Sequence, residues 1–343
     1  MTDNDLTQLA GAPILVTGGT GFTGSHLLRK LADAGLEVRA IVRPSSNRDH
    51  IKDLKVDWIE GDVFDDEVVR PAMKGVQYCF HMAAIYRQAN VTREMYHKVH
   101  LHGTQTVARA ARDTPGFKRL IHVSTIGVHG HIKHPPADEQ APFDPDDDYQ
   151  DTKALAETWL RDYAAKNRLA HTIIRPCAIY GPGDERLLKV FRMAMRRYCP
   201  ILGHRPCLYH LIHVDDLVRI LLRAAVHPDA VNETFIAGNP EALPLDKMIH
   251  IIADALNNPV RIIRLPAWPF FLAALLCEGV CRPLGIDPPL YRRRVAFYTK
   301  DRSFDTNKLR AVLGYETQLT NEDGLRQTAQ WYAEQGLLQK EAP

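Results

Sequence analysis

The sequence predicts an α/β fold, in which a doubly wound parallel sheet is joined to a smaller C-terminal α/β lobe. In the first half of the 343-residue chain, short apolar runs alternate with segments of helical periodicity. That alternation is typical of βαβ units, which build a parallel sheet with helices on both faces. Beyond Pro176 the alternation gives way to loops rich in proline and glycine. We therefore predict that residues 1–176 form the sheet domain, that 211–240 return to it, and that 177–210 and 241–343 form the second lobe.

Six apolar runs are predicted to be strands of the sheet, at 12–17, 37–43, 56–62, 76–84, 119–125 and 171–176. The first helix is predicted directly after the first strand, because Leu27, Leu28 and Leu31 recur on one side of it. Gly35 supplies the stop that glycine commonly gives at a helix C-terminus.

Composition and charge exclude several classes of protein. The formal net charge is only +2, whereas a nucleic-acid binder usually has a strongly basic domain, so no nucleic-acid partner is predicted. The six cysteines are scattered and form none of the CxxC pairs of a zinc site. His129, His131 and His134 fall close together, but no carboxylate stands at ligand spacing beside them, and we predict no metal site. The polar, acidic N-terminus lacks the parts of a signal peptide, which predicts a cytoplasmic location.

Residues 265–294 are the most distinctive part of the second lobe. The longest apolar run, 267–277, is shorter than the ~20 residues that a membrane-spanning helix needs. A proline-rich break and the triplet Arg292–Arg294 follow it. Two interpretations stay open. The segment is either a core helix packed on the second lobe, with Cys277 and Cys281 as buried thiols, or an apolar lid that rests on a membrane while the arginines meet phosphates.

A glycine-rich loop, TGGTGFTG (17–24), connects the first strand to the first helix. Its glycine spacing lets the backbone approach a pyrophosphate at the helix N-terminus, where unpaired N–H groups and the helix dipole favour an anion. This strand–loop–helix context predicts a dinucleotide cofactor, and with it a Rossmann-type sheet domain and a substrate-binding second lobe. The cofactor contacts predicted in the loop are Gly18, Thr20, Gly21, Phe22, Thr23 and Gly24.

The residue at the end of the second strand bears on the choice of cofactor. A site selective for NAD places Asp or Glu there, to accept hydrogen bonds from the ribose 2′-OH. This chain has Arg43, followed by a proline and two serines. Because a guanidinium matches a 2′-phosphate with two hydrogen bonds, we predict that NADP(H) is preferred over NAD(H).

Several further segments match the sequence pattern of one family. They are GDVFDD (61–66), HMAA (81–84), GT (103–104), HVST (122–125), YQDTK (149–153), RPCAIYGPGD (175–184), HVDD (213–216) and FDTNKLRAVLGY (304–315). With the glycine loop, and in this order, they resemble the extended short-chain dehydrogenase/reductases over nearly all of the chain. The resemblance is greatest to the branch of 3β-hydroxysteroid dehydrogenases and dihydroflavonol reductases.

The resemblance assigns catalytic roles to four residues. Tyr149 would be the general acid/base, and Lys153, one helical turn later on the same face, would favour its phenolate form. Thr125 would orient the substrate oxygen, with Ser124 as the alternative holder of that role. The acidic run 144–148 is predicted to be a solvated entrance to the helix, although its charge would oppose that of Lys153 if it lay near Tyr149.

The resemblance also implies cofactor contacts outside the glycine loop. It places Asp62 at the adenine, has Lys153 hold the nicotinamide ribose, and has Pro176 close over the nicotinamide. The full set that it implies is Asp62, Val63, Ala83, Ala84, Lys153 and Pro176. A homodimer is expected from the resemblance alone.

Three positions depart from the family pattern. His100 stands where many relatives have asparagine, Thr152 where serine is commoner, and Tyr209 where nucleotide-sugar enzymes carry an arginine that grips the diphosphate. Together with Arg43 and the apolar second lobe, Tyr209 favours an NADP(H)-dependent oxidoreductase that interconverts a secondary alcohol and a ketone on a sterol-, lipid- or flavonoid-like molecule. The alternative is a nucleotide-sugar epimerase or dehydratase that retains NAD.

Overall fold

A seven-stranded parallel sheet forms the centre of the computed structural model, which describes residues 2–86, 91–281, 289–290 and 292–338. Its strands are β1 (Ile14–Thr17), β2 (Val38–Val42), β3 (Asp57–Glu60), β4 (Tyr78–His81), β5 (Arg119–Val123), β6 (His171–Pro176) and β11 (Glu233–Ala237). They lie in the order β11-β6-β5-β4-β1-β2-β3, and each neighbouring pair is parallel. This confirms the predicted fold class.

The order of the strands determines where a ligand can bind. The chain winds outward from β1 in one direction through β2 and β3, and in the other through β4, β5 and β6. Thr17, the last residue of β1, pairs with Ile41 on one side and with His81 on the other, so the carboxyl ends of these strands meet at one edge. In an open parallel sheet, ligands bind outside this edge, at the point where the winding reverses.

Helices cover both faces of the sheet and fill the second lobe. They are α1 (Thr2–Leu9), α2 (Phe22–Asp33), α3 (Asp66–Met73), α4 (Arg93–His97), α5 (Gly103–Asp113), α6 (Asp148–Asn167), α7 (Leu188–Ala194), α8 (Val214–Val226), α9 (Leu245–Ala255), α10 (Ala267–Cys281), α11 (Arg292–Thr299), α12 (Asn307–Leu313) and α13 (Asn321–Glu334). Side chains alternate along each strand, so Ile14 and Val16 join the core under α2 and α8, while Leu15 joins the core under α3, α5 and α6. All of β1 is buried, as a parallel sheet covered on both faces requires.

The second lobe has a core of its own. Helices α7, α9 and α13 contribute Phe191, Ile249, Leu325 and Tyr332, all of them buried. Short strand pairs border this core: β7 (Ala178–Tyr180) with β10 (Leu211–His213), β8 (Tyr198–Leu202) with β13 (Arg261–Leu265), and β9 (Leu208–Tyr209) with β12 (Leu243–Pro244).

Helix α10 contains the apolar run for which two interpretations were open. Only Ala274 and Glu278 of this helix are buried, whereas Trp268 is 71 % exposed and Leu276 is 63 % exposed. The interpretation of α10 as a core helix is therefore wrong for its outer face, because no part of the described chain covers that face. The thiols Cys277 and Cys281 are half-buried rather than buried, with sulfurs 3.9 Å apart.

Residues 282–288, and the side chains of Arg293 and Arg294 from the predicted arginine triplet, lie outside the described residues. In the part of the chain that is described, no helix combines the length and the apolar character that crossing a bilayer requires.

Candidate active site

The residues predicted from the glycine loop and from the YQDTK segment meet at the carboxyl edge of the sheet. The loop follows β1, HMAA begins in β4, Thr125 follows β5 and Pro176 ends β6. Helix α6, which carries Tyr149 and Lys153, packs beside α5 on the face that also holds α3. The topology thus brings together segments that are far apart in the sequence.

The glycine loop leaves room that no other residue type would leave. Gly18 has φ +75°, and a β-carbon there would lie 2.7 Å from the backbone nitrogen of Ala83. A β-carbon on Gly24 would lie 2.2 Å from the carbonyl oxygen of Gly18, so this glycine allows α2 to pack against the loop. Gly21 caps α2 without a side-chain hydrogen bond. No cap side chain therefore occupies the first N–H groups of the helix, which fits the pyrophosphate of a dinucleotide.

A buried chain of hydrogen bonds supports this cradle. The Thr17 hydroxyl accepts from the backbone N–H of Ala83 at 3.2 Å and lies 2.8 Å from Nδ1 of His81. On the other side of the imidazole, Nε2 of His81 lies 3.1 Å from the Thr104 hydroxyl, which donates to the carbonyl of His100 at 2.6 Å. Burial, together with the positive charge of Lys153, lowers the pKa of His81 to about 3. The imidazole is therefore neutral and fixes the loop after β4 against β1.

The first turn of α6 presents Tyr149 to an aromatic surround. Asp147 caps the helix by accepting from the N–H of Gln150 at 2.9 Å. The Tyr149 ring is half-buried, and its centroid lies 5.4 Å from that of Tyr86, 6.4 Å from that of Tyr96 and 5.4 Å from that of His100. The surroundings of Tyr149 are therefore mainly aromatic rings.

Lys153 ties the same helix to the end of β5. Its Nζ is buried and donates to the carbonyl oxygen of Val123 at 2.6 Å, directly before Ser124 and Thr125. Burial lowers the pKa of Lys153 to about 8, and the carboxylate of Glu157 opposes this shift. The ammonium is thus largely retained at neutral pH, where its charge favours a phenolate in the same helical turn.

The two hydroxyls after β5 have different surroundings. Ser124 is buried beside the Glu157 carboxylate. Thr125 is only half-buried, and its hydroxyl accepts from the N–H of Gly127 at 3.0 Å, at the start of a 3₁₀ turn. A hydroxyl that accepts in this way keeps its own proton to donate. This geometry favours Thr125 over Ser124 for contact with a substrate oxygen.

His100, one of the departures from the family pattern, joins two walls of the site. It lies in a π-helical turn, Lys98–His102, between α4 and α5. Its Nε2 accepts from the N–H of Ile85 at 3.1 Å, and its Nδ1 lies 2.8 Å from the hydroxyl of Thr152, which donates to the carbonyl of Asp148. Burial, reinforced by the Lys153 charge, lowers the pKa of His100 to about 2. A neutral imidazole thus holds the loop after β4 against the first turn of α6.

The remaining predicted cofactor contacts lie around the same edge. Arg43 is exposed at the end of β2, Asp62 is half-buried after β3, and Val63 is buried against Gly103. Thr20, Phe22 and Thr23 are half-buried in the glycine loop, Ala83 is buried and Ala84 exposed after β4, and Pro176 is buried at the end of β6. The structure places these residues along one edge of the sheet, and their individual roles stay predictions.

Sequence reasoning missed two features of the site. Arg186, just after the YGPGD segment, lies with its guanidinium carbon 5.4 Å from the ring centre of Phe22 and 5.3 Å from that of Tyr86. It therefore connects the glycine loop to the aromatic surround of Tyr149. These two contacts could not be predicted from the sequence, because the partners lie in segments that only the fold brings near Arg186.

The second missed feature is a fully buried ion pair between β6 and α6, the helix that carries Tyr149 and Lys153. Arg175 of β6 donates to both carboxylate oxygens of Glu157 of α6, at 2.5 and 3.1 Å, and neither side chain is exposed. Arg175 also donates to Nε2 of His129 at 2.9 Å and lies 4.9 Å from the ring centre of Phe143. His129 is thus a partner of this arginine. Glu157 lies one helical turn after Lys153, so the pair fixes the helix that carries the predicted catalytic residues.

The sequence of the chain is similar to that of known proteins. A family model described as "NAD dependent epimerase/dehydratase family" matches residues 14–238. Over 92 % of the chain, the sequence is 28 % identical to the 3beta-hydroxysteroid-dehydrogenase/decarboxylase isoform 2 of Arabidopsis thaliana, and it spans 61 % of that protein's length. It is 30 % identical to the 2-alkyl-3-oxoalkanoate reductase of Stenotrophomonas maltophilia, with 91 % of this chain and 97 % of that one covered.

A solved structure is similar as well. The structure of epimerase Mth375 from Methanothermobacter thermautotrophicus matches with a TM-score of 0.79 and 26 % identity, and 98 % of this chain and 97 % of that one are covered. The similarity extends over both the sheet and the second lobe.

Proposed function

Because the chain belongs to the NAD dependent epimerase/dehydratase family, we propose that it is an NADP(H)-dependent oxidoreductase that interconverts a secondary alcohol and a ketone on a sterol-, lipid- or flavonoid-like substrate. The family comprises NAD(P)-dependent oxidoreductases, dehydratases and epimerases, so the chain is an NAD(P)-dependent enzyme. The observation that carries the oxidoreductase proposal is the ring of Tyr86, Tyr96 and His100 around Tyr149, which suits an apolar molecule. Two relatives named for hydroxysteroid and oxoalkanoate chemistry support it.

The residues of the chain divide the work of this reaction. The nicotinamide, when bound, supplies or accepts a hydride. The Tyr149 hydroxyl gives a proton to the substrate oxygen in reduction and takes it back in oxidation, and the Lys153 ammonium stabilises the phenolate that is left. The Thr125 hydroxyl donates a hydrogen bond to the same oxygen and so fixes its position. His100 and Thr152 hold the turn of α6 on which Tyr149 stands.

The preference for NADP(H) is proposed from Arg43. This side chain is exposed at the end of β2, whereas the nearby Arg48 bonds to Glu60 at 3.0 Å and lies 5.8 Å from the ring centre of Trp58. Arg43 is therefore the better placed guanidinium for a 2′-phosphate, because Arg48 already has a carboxylate partner.

Replacing Arg43 with alanine is expected to reduce the preference for NADP(H) over NAD(H) by roughly tenfold to a hundredfold, the effect of losing about 1.5–3 kcal/mol of charge-assisted hydrogen bonding. Binding titrations with the two cofactors measure this ratio without any substrate. Arg48→Ala is the matched control, and its ratio should stay near that of the parent. A parent that binds NAD(H) more tightly than NADP(H) would refute the proposed cofactor.

A second candidate, a nucleotide-sugar epimerase or dehydratase, is favoured by one observation. Tyr209 is buried and donates to the carbonyl of Phe297, but the guanidinium of Arg302 lies 5.1 Å from the centre of its ring. A cation from the segment between α11 and α12 thus stands next to Tyr209, the position at which the resemblance places an arginine in nucleotide-sugar enzymes. The guanidinium of Arg302 suits an ion pair with a diphosphate.

One experiment separates the two candidates. Purified protein is incubated either with NADPH and a panel of 3-ketosteroids and 3-oxoalkanoates, or with UDP-hexoses and no added cofactor. The oxidoreductase proposal expects NADPH consumption that depends on a ketone, and no interconversion of sugars. Interconversion of UDP-hexoses by protein that carries tightly bound NAD would overturn it and establish the epimerase.

A further inference from the structure

We propose that the outer face of α10 is a docking surface for an anionic lipid bilayer. This inference stands apart from the proposed reaction, because it depends on a part of the second lobe that contributes nothing to the Tyr149 site described above.

The exposed apolar side chains of α10 form one continuous stripe. Trp268, Phe271, Leu272, Leu275, Leu276 and Val280 recur at intervals of three and four residues, and each is between 45 % and 71 % exposed. At 3.6 residues per turn, such positions lie on one side of a helix. Soluble surfaces rarely collect six large apolar side chains in this way, and such a patch marks an interaction site.

The inner face of the same helix is already occupied. Ala274 packs into a small core with Leu202 and Val295. The helix has a single charged residue, Glu278, which is buried and bonds Arg292 at 2.9 Å. The stripe is therefore an outward surface without a charge of its own, on a helix whose orientation is fixed from behind.

Basic residues in the segments next to the stripe indicate what kind of surface it binds. Every charged residue between Glu185 and Asp215 is a lysine or an arginine, and the only charged residues between Asp254 and Glu278 are Arg261 and Arg264. These two segments pair with each other as β8 and β13. Arg264 lies within the small sheet and pairs with Asp246 at 2.5 Å, whereas the exposed Arg197, Arg205 and Arg261 lie at its two ends.

The small sheet leads directly into α10. β13 ends two residues before the helix begins, and Gly203, after β8, donates to the carbonyl of Leu265 at 2.8 Å. On the side of α10, the loop that follows Gly203 exposes Arg205, and the opposite end of the sheet exposes Arg197 and Arg261. Cations next to an uncharged apolar stripe match an anionic lipid surface, in which apolar side chains enter the interface and arginines meet headgroups.

Vesicle flotation tests the proposal on the full chain. We expect the protein to float with vesicles of phosphatidylcholine and phosphatidylglycerol, and to float far less with phosphatidylcholine alone or at high salt, where charge is screened. The double variant Phe271→Glu/Leu275→Glu should reduce the bound fraction by at least about tenfold, because it places two charges on the face that enters the bilayer. Val231→Glu, an exposed apolar residue elsewhere, is the matched control and should float like the parent.

Tryptophan fluorescence adds a readout from the surface itself. Trp268 is the tryptophan at the start of the stripe, and the described Trp58, Trp159 and Trp331 are each only partly exposed. Adding anionic vesicles should shift the emission to shorter wavelength. Trp268→Phe should abolish that shift while flotation is retained.

Two outcomes would overturn the proposal. One is a parent chain that stays at the bottom of the gradient with both kinds of vesicle. The other is flotation that the double glutamate variant does not reduce. In either case, light scattering is compared between the variants. A dimer that the double glutamate variant dissociates and Val231→Glu does not would show that the stripe is an interface between two copies of the chain and not a lipid surface.

Discussion

Tyr149→Phe is expected to lower kcat by roughly a hundredfold to ten-thousandfold, which is the usual contribution of a positioned general acid or base. The substitution removes only the hydroxyl, so the ring stays among Tyr86, Tyr96 and His100, 5.4–6.4 Å away between centroids. Cofactor affinity should change little, because the glycine cradle and Arg43 are untouched. Steady-state kinetics with the best ketone of the panel, beside a binding titration with NADPH, measure the two quantities separately.

Tyr86→Phe provides the control for this substitution. It also removes a phenol hydroxyl beside the site, but from a side chain that is 44 % exposed at its rim. Its kcat should stay within a fewfold of the parent. Comparable losses in both variants, or nearly full activity in Tyr149→Phe with an unchanged melting temperature, would contradict the assignment of Tyr149 as the acid/base.

The sheet could be predicted from sequence because its signals are local. Six apolar runs separated by helical periodicity correspond to β1–β6, and the glycine loop identifies β1 as the strand that precedes a nucleotide site. The steric role of Gly18 and Gly24 follows from residue type alone, since only glycine tolerates an approach of 2.7 Å or less at the β-carbon position. Local features of this kind can be predicted from the sequence without knowledge of the fold.

The supporting contacts of the site could not be predicted, because they join distant segments through buried polar atoms. Nothing in the sequence around His81 indicates that Thr17 and Thr104 flank its ring. Arg175 stands in a recognised segment, yet its partner Glu157 lies 18 residues earlier on another element. Such pairings depend on the register of strands and helices, which periodicity does not specify.

Helix α10 shows a different limit of sequence reasoning. An apolar run without charges predicts burial, and the inner residue Ala274 is indeed buried. Whether the outer face is buried depends on what else packs there, and the described chain leaves Trp268 and Leu276 open. Composition therefore predicts that a surface is apolar, but not that it is covered.

The buried pair of Arg175 and Glu157 carries the largest expected effect on stability. Glu157→Gln leaves the Arg175 guanidinium buried without its carboxylate, and we expect the free energy of unfolding to fall by about 3–5 kcal/mol. Burial alone would raise the pKa of Glu157. The neighbouring Arg175 more than offsets this effect and holds the pKa below its ordinary value of 4.5. The stability from this pair is therefore present above about pH 4.5 and is lost as the pH falls through the lowered pKa. Urea unfolding at neutral pH and at pH 4 measures both effects.

The double variant Glu157→Leu/Arg175→Met separates the ion pair from simple loss of packing. Apolar replacement of both partners leaves no uncompensated charge in the core, because Arg161, which also pairs with Glu157 at 2.7 Å, is 42 % exposed and can be solvated. Stability should therefore return to near that of the parent. Activity should not return to the same extent, because Glu157 also opposes the fall in the pKa of Lys153, which is about 8 in the parent. Without this carboxylate the ammonium loses its proton at lower pH, and the alkaline limb of the pH–rate profile should move towards neutrality. A double variant that is as unstable as Glu157→Gln would show that packing around β6, and not the buried charge, determines the loss.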